Sequence, residues 1–254
     1  MADTGFEQRL RRRLEADEAV LDRLAKGPEK VVVRHDLPDG YTVYYEDTEH
    51  VYAEDPLLAN RLAGVSSVVS AFKGDTDALL SWAVWLSKKG LDWQEERRKA
   101  ALRGSRAHRS LEALCAGSSI FWDIIPDEER GYHLAIEKFW DKYQPKPILS
   151  EVVVASRTHR VAGTFDLVAE LPKHGVCLID LKTSKHIGDD YHCQLAAYET
   201  LGLECQRFDK PDAKFILQAD KNGKFRLISC KMDDEDFQAA LNVWRRTKKG
   251  KDLK

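Results

Sequence analysis

The stretch that decides the fold is VAGTFDLVAELPKHGVCLIDLK, residues 161–182. Two apolar runs flank the turn material LPKHG at residues 171–175, which predicts a β-hairpin centred on Lys173. In such a hairpin the numbers of paired residues add up to 346, so Asp166 lies opposite Asp180. Cross-strand neighbours have Cβ atoms about 4.5–5.5 Å apart, a separation at which two carboxylates can bind one hard cation.

A third charged residue belongs to the same face of this hairpin. Asp180 and Lys182 are two residues apart on one strand, so their side chains project from the same side. Because the surrounding residues are apolar, the hairpin should be mostly buried, and a buried carboxylate is unfavourable unless it binds a metal or pairs with a cation. Two interpretations follow: a metal site formed by Asp166 and Asp180, or a structural Asp180–Lys182 ion pair with Asp166 capping a turn.

Composition and charge exclude several classes of protein. The chain has 254 residues, with 40 Lys and Arg against 42 Asp and Glu, and its formal net charge of −2 gives no global positive field for nucleic acid or an anionic membrane. No apolar run approaches the length of a bilayer span, which excludes a transmembrane protein. Residues 1–14 contain acids and three consecutive arginines but no apolar core, which fits neither a secretory signal nor a transit peptide and predicts a cytoplasmic protein.

The five cysteines are scattered along the chain and form no C-x-x-C pair. This pattern argues against a disulfide framework, a structural zinc site and an iron–sulfur cluster. It favours small buried thiols.

Apolar periodicity predicts a mixed α/β chain with a β-rich centre. Helices are predicted over residues 6–26, 76–90, 92–116, 128–143, 191–201 and 233–248. Strands are predicted at residues 31–33, 41–45, 50–52, 152–154, 161–170, 176–181, 213–219 and 224–230. We therefore expect an N-terminal helix and small β-meander, residues 1–60, packed on a core formed by residues 61–254.

Four separated elements of the chain match one family in order and spacing. They are Glu151, GTFD at residues 163–166, LIDLKTSK at residues 178–185 and QLAAY at residues 194–198. Together they resemble the PD-(D/E)XK nucleases of the RecB-like branch, with the mitochondrial genome maintenance exonuclease and its phage and bacterial relatives as the closest match. Agreement of four elements is more specific than agreement of any one of them.

The resemblance extends upstream through two weaker elements. VSSVV at residues 65–69 is similar to the serine-containing segment at which the helical part of these enzymes begins, and RGSRAH at residues 103–108 is similar to their glycine-to-histidine helix motif. The resemblance thus covers residues 65–201. Two departures are Asp180 in place of glutamate, which the family permits, and the absence of the cysteines of its iron–sulfur members, which implies no iron–sulfur cluster.

The resemblance implies a restriction-endonuclease-like fold, in which a mixed β-sheet is flanked by helices, and a nuclease site on that sheet. In this site Asp166 and Asp180 bind Mg²⁺ or Mn²⁺, and the carbonyl oxygen of Leu181 is a third ligand. Lys182 orients the attacking water or stabilises the transition state. The residues that complete the metal site are His108 and Glu151, and those that support the site and the nearby DNA backbone are Gln194 and Tyr198.

His108 has a second interpretation, because its helix neighbours Gly104, Leu111 and Leu114 form an apolar side. Taken alone, this pattern is more typical of a buried core histidine. The resemblance places a histidine of this motif at the metal site, and we therefore expect His108 to be a ligand. Glu151 would bind the metal directly or through water, and we rank it below the two aspartates.

Because the net charge is near zero, contacts to phosphates must be concentrated in local clusters. The predicted nucleic-acid-binding residues lie on the helices that lead to His108 and are Lys88, Lys89, Arg97, Arg98, Lys99, Arg103 and Arg106. Trp82, Trp85 and Trp93 in the same region are candidates for stacking on unpaired bases, but we favour core positions for them.

The expected function is that of a metal-dependent deoxyribonuclease, an exonuclease that acts on single-stranded or end-bearing DNA in replication, recombination or repair. One alternative is an endonuclease of the same fold that cuts branched or site-specific duplex. Another is a non-catalytic protein that only binds nucleic acid or another protein. The intact set of two acids and a lysine disfavours this last alternative, because a degenerate relative has no physical reason to keep it.

Overall fold

Residues 31–72 and 83–247 are described by the computed structural model, and they form a mixed sheet of nine strands flanked by helices. The strands are β1 (Val32–Asp36), β2 (Thr42–Glu46), β3 (Val51–Ala53), β4 (Arg61–Gly64), β5 (Lys146–Ser156), β6 (Val161–Leu171), β7 (Gly175–Lys182), β8 (Ala213–Ala219) and β9 (Phe225–Ser229). The α-helices that lie wholly within the described residues are α1 (Val65–Val68), α2 (Trp93–Cys115), α3 (Arg130–Tyr143), α4 (Asp189–Glu204) and α5 (Asp234–Trp244). The predicted α/β class, with a mixed sheet between helices, is confirmed.

Strand β6 is the centre of the sheet because it has three neighbouring strands. Along one flank, β5 pairs with it in antiparallel orientation over nearly its whole length. Along the other flank, β4 pairs in parallel with residues 161–162, and β7 pairs in antiparallel with residues 167–171. Between these two ladders, residues 163–166 have no strand partner on that flank within the described part of the chain. We call this opening between β4 and β7, at residues 163–166, the fork.

The predicted β-meander is present and continues the central sheet. Strands β1, β2, β3 and β4 are successive antiparallel neighbours, and β4 joins them to β6 through the pairs Ala63–Val161 and Gly64–Ala162. On the opposite side, β7 pairs with β8 in parallel, and β8 pairs with β9 in antiparallel. Hydrogen bonding between strands therefore runs without interruption from β1 to β9.

Helices cover both faces of the sheet, and alternate strand residues divide between them. On β7, Leu178 packs with the apolar residues of α4 and α5, whereas the next residue, Ile179, packs with those of α2 and α3. On β8, Ile216 and Leu217 divide in the same way. The β6–β7 hairpin therefore lies between two helical layers, with α2 on one side and α4 on the other.

The register predicted for the β6–β7 hairpin is confirmed. Residues 167–171 of β6 pair with residues 175–179 of β7, and each pair adds up to 346. The next two residues in the same register are Asp166 and Asp180. They lie where the ladder ends and the fork begins, so the hairpin brings both aspartates to the opening in the sheet.

Helix α2 carries His108 and agrees with the helix predicted over residues 92–116. It begins after Asp92, whose side chain accepts a hydrogen bond from Gln94 N at 2.8 Å and so satisfies one of the free amides of the first turn. It ends before Gly117, whose φ of +74° is a conformation that glycine adopts without strain. The residues that begin and end this helix, Asp92 and Gly117, are therefore recognisable in the sequence.

The remaining predictions on organisation have mixed outcomes. Residues 83–88 are helical, as predicted, whereas residues 73–82 and the helix predicted over residues 6–26 lie outside the described residues. All five cysteines carry free thiols, three of them buried and two half-buried. None of the described helices combines the length and the apolar composition needed to cross a membrane.

The contact between α3 and the β8–β9 turn requires glycine at position 131. A Cβ atom on Gly131 would lie 1.8 Å from the carbonyl oxygen of Lys221, a backbone atom that cannot move unless the turn moves. We expect Gly131→Ala to lower the free energy of unfolding by about 1–3 kcal/mol, the usual size of overpacking effects. Gly104→Ala is the matched control, because a Cβ there meets nothing within 4 Å and should stabilise α2 by roughly 1 kcal/mol. Urea denaturation measures both variants, and equal stabilities would contradict this interpretation of the contact.

Candidate active site

Three side chains from three different elements meet beside the fork. His108 comes from α2, Glu151 from β5 and Asp166 from β6. His108 Nδ1 lies 3.5 Å from Glu151 Oε1 and 3.2 Å from Asp166 Oδ1. One ligand atom from each residue lies within 4.8 Å of the others. A histidine nitrogen and carboxylate oxygens this close together can hold one divalent cation.

Glu151 reaches this cluster from a strained backbone position. Its φ is +52°, in the left-handed region, although it lies inside strand β5. On either side of it, Ser150 and Val152 are paired with β6. A non-glycine residue in this region costs about 1–3 kcal/mol, and such residues concentrate at active sites. The fold thus retains backbone strain at the residue that brings a carboxylate to His108 and Asp166.

Asp166 is held by the backbone of the neighbouring strand. Its Oδ2 accepts a hydrogen bond from Leu181 N at 2.6 Å. This bond joins β6 to β7 beyond the last paired residues of their ladder. The contact of Leu181 with the site is therefore through its N–H, and coordination by its carbonyl oxygen stays a prediction. With Oδ2 fixed, Asp166 presents Oδ1 to His108.

Asp180 and Lys182 form the ion pair that a purely structural interpretation predicts. Lys182 Nζ lies 2.5 Å from Asp180 Oδ2, and the two side chains are 14% and 1% exposed. Asp180 Oδ1 is buried and has no hydrogen-bond partner among the described residues. Buried polar atoms almost always have a partner. The ion pair alone therefore leaves Asp180 incompletely satisfied. Asp180 is not part of the group formed by His108, Glu151 and Asp166, so its coordination of a cation stays a prediction.

Burial and neighbouring charges shift the pKa values of the whole cluster. Burial lowers the pKa of His108, but Asp166 and Glu151 raise it by more, to about 10. Burial raises the pKa of both Asp180 and Glu151, and the charge of Asp166 adds to each rise. Burial acts in the same direction on Asp166, but His108 and Lys182 outweigh it and hold the pKa of Asp166 below its usual range. Without a cation, His108 is therefore protonated, and its positive charge offsets the negative charges of Asp166 and Glu151. A cation that binds there displaces this proton.

Helix α4 closes the site from the other face of the sheet. Gln194 Nε2 donates to Tyr198 Oη at 2.8 Å, as the spacing of four residues predicts. Tyr198 packs on the fork, where a Cβ atom on Gly163 would lie 2.8 Å from Tyr198 Cε1. Burial raises the pKa of Tyr198 well above its ordinary value, and the charges of Asp180 and Asp166 add to this rise. Tyr198 therefore lies near the two aspartates, and Gln194 is hydrogen-bonded to Tyr198.

Two tyrosines contact residues of the site, and neither contact is predicted by the sequence pattern. Tyr52 of β3 shares a hydrogen bond with Thr164 Oγ1 in the fork, at 2.9 Å. The ring centroid of Tyr191 lies 5.1 Å from Lys182 Nζ. Thr164 and Lys182 both belong to matched sequence elements, but their tyrosine partners come from the meander and from α4. A partner 112 residues away leaves no signal in local periodicity.

No family model and no curated protein matches the chain. Among solved structures, it is similar to the crystal structure of a "Putative exonuclease" from Eubacterium rectale, with 16% sequence identity and a TM-score of 0.41 over 72% of this chain and 77% of that chain. The candidate site accordingly rests on its own geometry.

The predicted nucleic-acid-binding residues differ in their surroundings. Arg106 makes a two-point ion pair with Glu129, at 2.6 and 2.7 Å. Arg98 and Lys99 each pair with a glutamate three residues earlier, at 2.8 Å. Arg103 lies over a tyrosine ring, 4.8 Å from its centroid. The three remaining residues of the predicted set are exposed: Lys88, Lys89 and Arg97.

Trp85 and Trp93 are exposed, and the expectation that they are core residues is wrong. Their exposed fractions are 53% and 38%. The apolar periodicity of this region is real, but Trp93 opens helix α2, and the first half of that helix extends beyond the part that packs on the sheet. Trp82 lies outside the described residues.

Proposed function

We propose that the protein is a divalent-cation-dependent deoxyribonuclease of the RecB-like branch of the PD-(D/E)XK nucleases, and that it acts as an exonuclease on single-stranded or end-bearing DNA. One observation carries the proposal: ligand atoms of His108, Glu151 and Asp166 lie within 4.8 Å of one another at the fork that also holds the Asp180–Lys182 pair. A cation centre beside a buried ammonium group suits phosphodiester hydrolysis. The sequence elements that contain these residues support the same family.

The residues at the fork fit a hard divalent cation. His108, Glu151 and Asp166 would hold it, and the unbonded Oδ1 of Asp180 would add a further oxygen ligand. Carboxylate oxygens favour Mg²⁺ or Mn²⁺, and a single histidine nitrogen is compatible with either ion in a mixed donor set. When bound, such a cation stabilises negative charge on the scissile phosphate and lowers the pKa of a bound water.

Lys182 would act on the phosphate directly. Burial lowers its pKa, but Asp180 and Asp166 raise it above its ordinary value, so the side chain is protonated at neutral pH. An ammonium group in this position orients the attacking water or neutralises charge as it develops on the phosphate. The ion pair with Asp180 and the ring of Tyr191 restrict the side chain, so that little reorganisation is needed during the reaction.

DNA would be held outside the metal centre by basic residues with free access to solvent. Lys88, Lys89 and Arg97 are the best candidates, because they are exposed and, unlike Arg98 and Lys99, make no ion pair with any residue that the structure describes. As part of the same proposal, the enzyme works in the cytoplasm of a bacterial or phage-infected cell, in replication, recombination or repair, where free DNA ends arise. The cysteines take no part in it, and no iron–sulfur cluster is proposed.

We expect the purified protein to degrade end-labelled linear DNA in Mg²⁺ or Mn²⁺ and to be inactive in EDTA. The carboxylates of the site provide no activated nucleophile by themselves, so hydrolysis needs the cation. The assay compares linear single strands, linear duplexes and closed single-stranded circles, and an exonuclease should leave the circles intact.

Three outcomes of this assay would contradict the proposal or favour one of the alternatives. Activity that EDTA does not reduce would contradict the metal-dependent mechanism. Efficient cutting of closed circles would favour an endonuclease of the same fold. Binding of DNA without cleavage in any divalent cation would favour the non-catalytic alternative.

A further inference from the structure

The first half of helix α2 is exposed although the helix continues into the core. Its buried residues all lie in the second half and are Ala107, Ser110, Leu111 and Ala113. Residues 93–99 are mostly exposed. An α-helix rises 1.5 Å per residue, so Trp93 lies about 22 Å from His108 along the axis. Helix α2 thus reaches from the candidate metal centre out into solvent.

Four residues of α2, each three or four positions from the next, form a row that leads from His108 back to the start of the helix. At 3.6 residues per turn, three of them lie within about 40° of His108 around the axis, and the fourth, Trp93, lies within about 60°. We call these residues the α2 stripe: Trp93, Arg97, Ala101 and Gly104. The two residues nearest His108 are small, and a Cβ atom on Gly104 would meet nothing within 4 Å. The stripe therefore leaves open space next to the candidate metal centre, at Gly104. At its other end it presents the cation of Arg97 and the aromatic ring of Trp93.

The charges on α2 distinguish the stripe from the other sides of the helix. Arg98, Lys99 and Arg106 lie off the stripe, and each pairs with a glutamate at 2.6–2.8 Å. Arg97 is exposed and makes no ion pair with any residue that the structure describes. Trp93 is 38% exposed. An exposed indole ring and an unpaired cation on one face match the two features of an unpaired DNA strand, its base faces and its phosphate charges.

We propose that the α2 stripe binds an unpaired DNA strand that leads to the candidate metal centre. This inference rests on the proposed nuclease function, because it assumes that the DNA strand bound along the α2 stripe ends at the candidate metal centre beside His108. Trp93 stacks on one base, and Arg97 contacts a phosphate nearer to the centre. Nucleotides of a stacked strand are about 3.4 Å apart, so Trp93 meets a base about six nucleotides from the scissile phosphate, or fewer if the strand is extended.

The test measures binding in EDTA, so that it does not depend on catalysis. Oligo(dT) probes from about four to about twelve nucleotides are titrated into the full chain, within the range of known single-strand site sizes. Affinity is read from the anisotropy of a labelled end, and stacking is read from the quenching of tryptophan fluorescence. We expect affinity to rise with length up to about six nucleotides and then to level off.

Substitutions on the stripe separate stacking from charge. Trp93→Ala should weaken the binding of the longer probes about 5- to 150-fold, which corresponds to the loss of one base–aromatic stack. Trp93→Phe should keep the affinity and lose most of the quenching. Arg97→Ala should reduce the slope of log affinity against log salt by about 0.7. The matched control is Arg130→Ala, because Arg130 is an exposed arginine of α3 that pairs with Asp127 at 2.9 Å, and its loss should change neither quantity.

The proposal that the α2 stripe binds DNA would be overturned if Trp93→Ala bound the longer probes as tightly as the wild type. It would also be overturned if the affinity of the wild type did not change with probe length. Tighter binding of blunt duplex or of oligo(U) than of oligo(dT) would overturn the assignment to unpaired DNA. The proposed function can fail separately: length-dependent binding without cleavage in any divalent cation supports the stripe and refutes the nuclease. Cleavage of DNA together with an affinity that does not depend on probe length supports the nuclease and refutes DNA binding by the stripe.

Discussion

Replacing Asp180 with asparagine should reduce DNA cleavage by about 10³-fold while the protein stays folded. The substitution keeps the size of the side chain and its capacity to form hydrogen bonds, and it removes the charge that a divalent oxygen site requires. Burial and the charge of Asp166 raise the pKa of Asp180, so a neutral side chain also relieves an unfavourable charge. DNA affinity in EDTA should therefore stay level or rise.

Cleavage in Mg²⁺, DNA binding in EDTA and thermal unfolding are measured on the same preparation of the Asp180→Asn variant. Glu170→Gln is the matched control, because it removes one carboxylate charge from the same hairpin at an exposed position that pairs with Lys146 at 3.3 Å. Near-wild-type cleavage by Asp180→Asn would remove Asp180 from the site and with it the argument from paired strands. Loss of cleavage together with a large fall in Tm would point to a structural role instead.

Lys182→Met should slow the chemical step by about 10²- to 10³-fold with little change in cation affinity. All the carboxylates of the site remain, so the loss should appear in kcat more than in KM. The substitution also leaves Asp180 without the ammonium group 2.5 Å away. The cation-free variant should therefore unfold at a lower temperature than the wild type, and Mg²⁺ should restore part of that loss.

Single-turnover cleavage gives the rate of the Lys182→Met variant, and a thermal-shift titration with Mg²⁺ gives its cation affinity. Lys146→Met is the control, because Lys146 also pairs with an acid but is 76% exposed, and its removal should change neither measurement. An unchanged kcat, or a fall in cation affinity as large as the fall in rate, would contradict the role assigned to Lys182.

The central hairpin could be predicted from the sequence because the information that sets it is local. The turn at residues 171–175 lies between two apolar runs, and its centre fixes the pairing of every residue on both sides. The positions of Asp166 and Asp180 follow from the pairing alone. The contact between Gln194 and Tyr198 follows in the same way from the geometry of one helix.

Other parts of the site depend on contacts that local pattern does not encode. Tyr52 meets Thr164 only because β4 pairs in parallel with the start of β6 and brings the meander to the fork. Parallel pairing between distant strands has no turn to mark it in the sequence. The left-handed backbone of Glu151 is equally invisible, because glutamate has no preference for that conformation.

The exposure of Trp93 shows a third kind of gap between sequence and structure. Periodicity reports which side of a helix is apolar, and it does not report how far along the helix the supporting sheet extends. The buried residues of α2 are confined to the half that begins at Ala107. A tryptophan near the start of the helix therefore satisfies the apolar pattern and still faces solvent.

Asp166 performs two tasks with one side chain, since Oδ1 faces His108 and Oδ2 accepts the amide hydrogen of Leu181. Natural selection for a stable sheet and natural selection for catalysis therefore act on the same residue. This bond gives an inactive relative a physical reason to keep Asp166, because its loss would leave a buried amide unbonded, so the expectation from sequence that such a relative has no reason to keep the acids does not hold for Asp166. In a survey of related genomes, Asp166 would be a poor marker of active enzymes. His108 and Asp180, for which the described residues provide no such backbone bond, would be the informative ones.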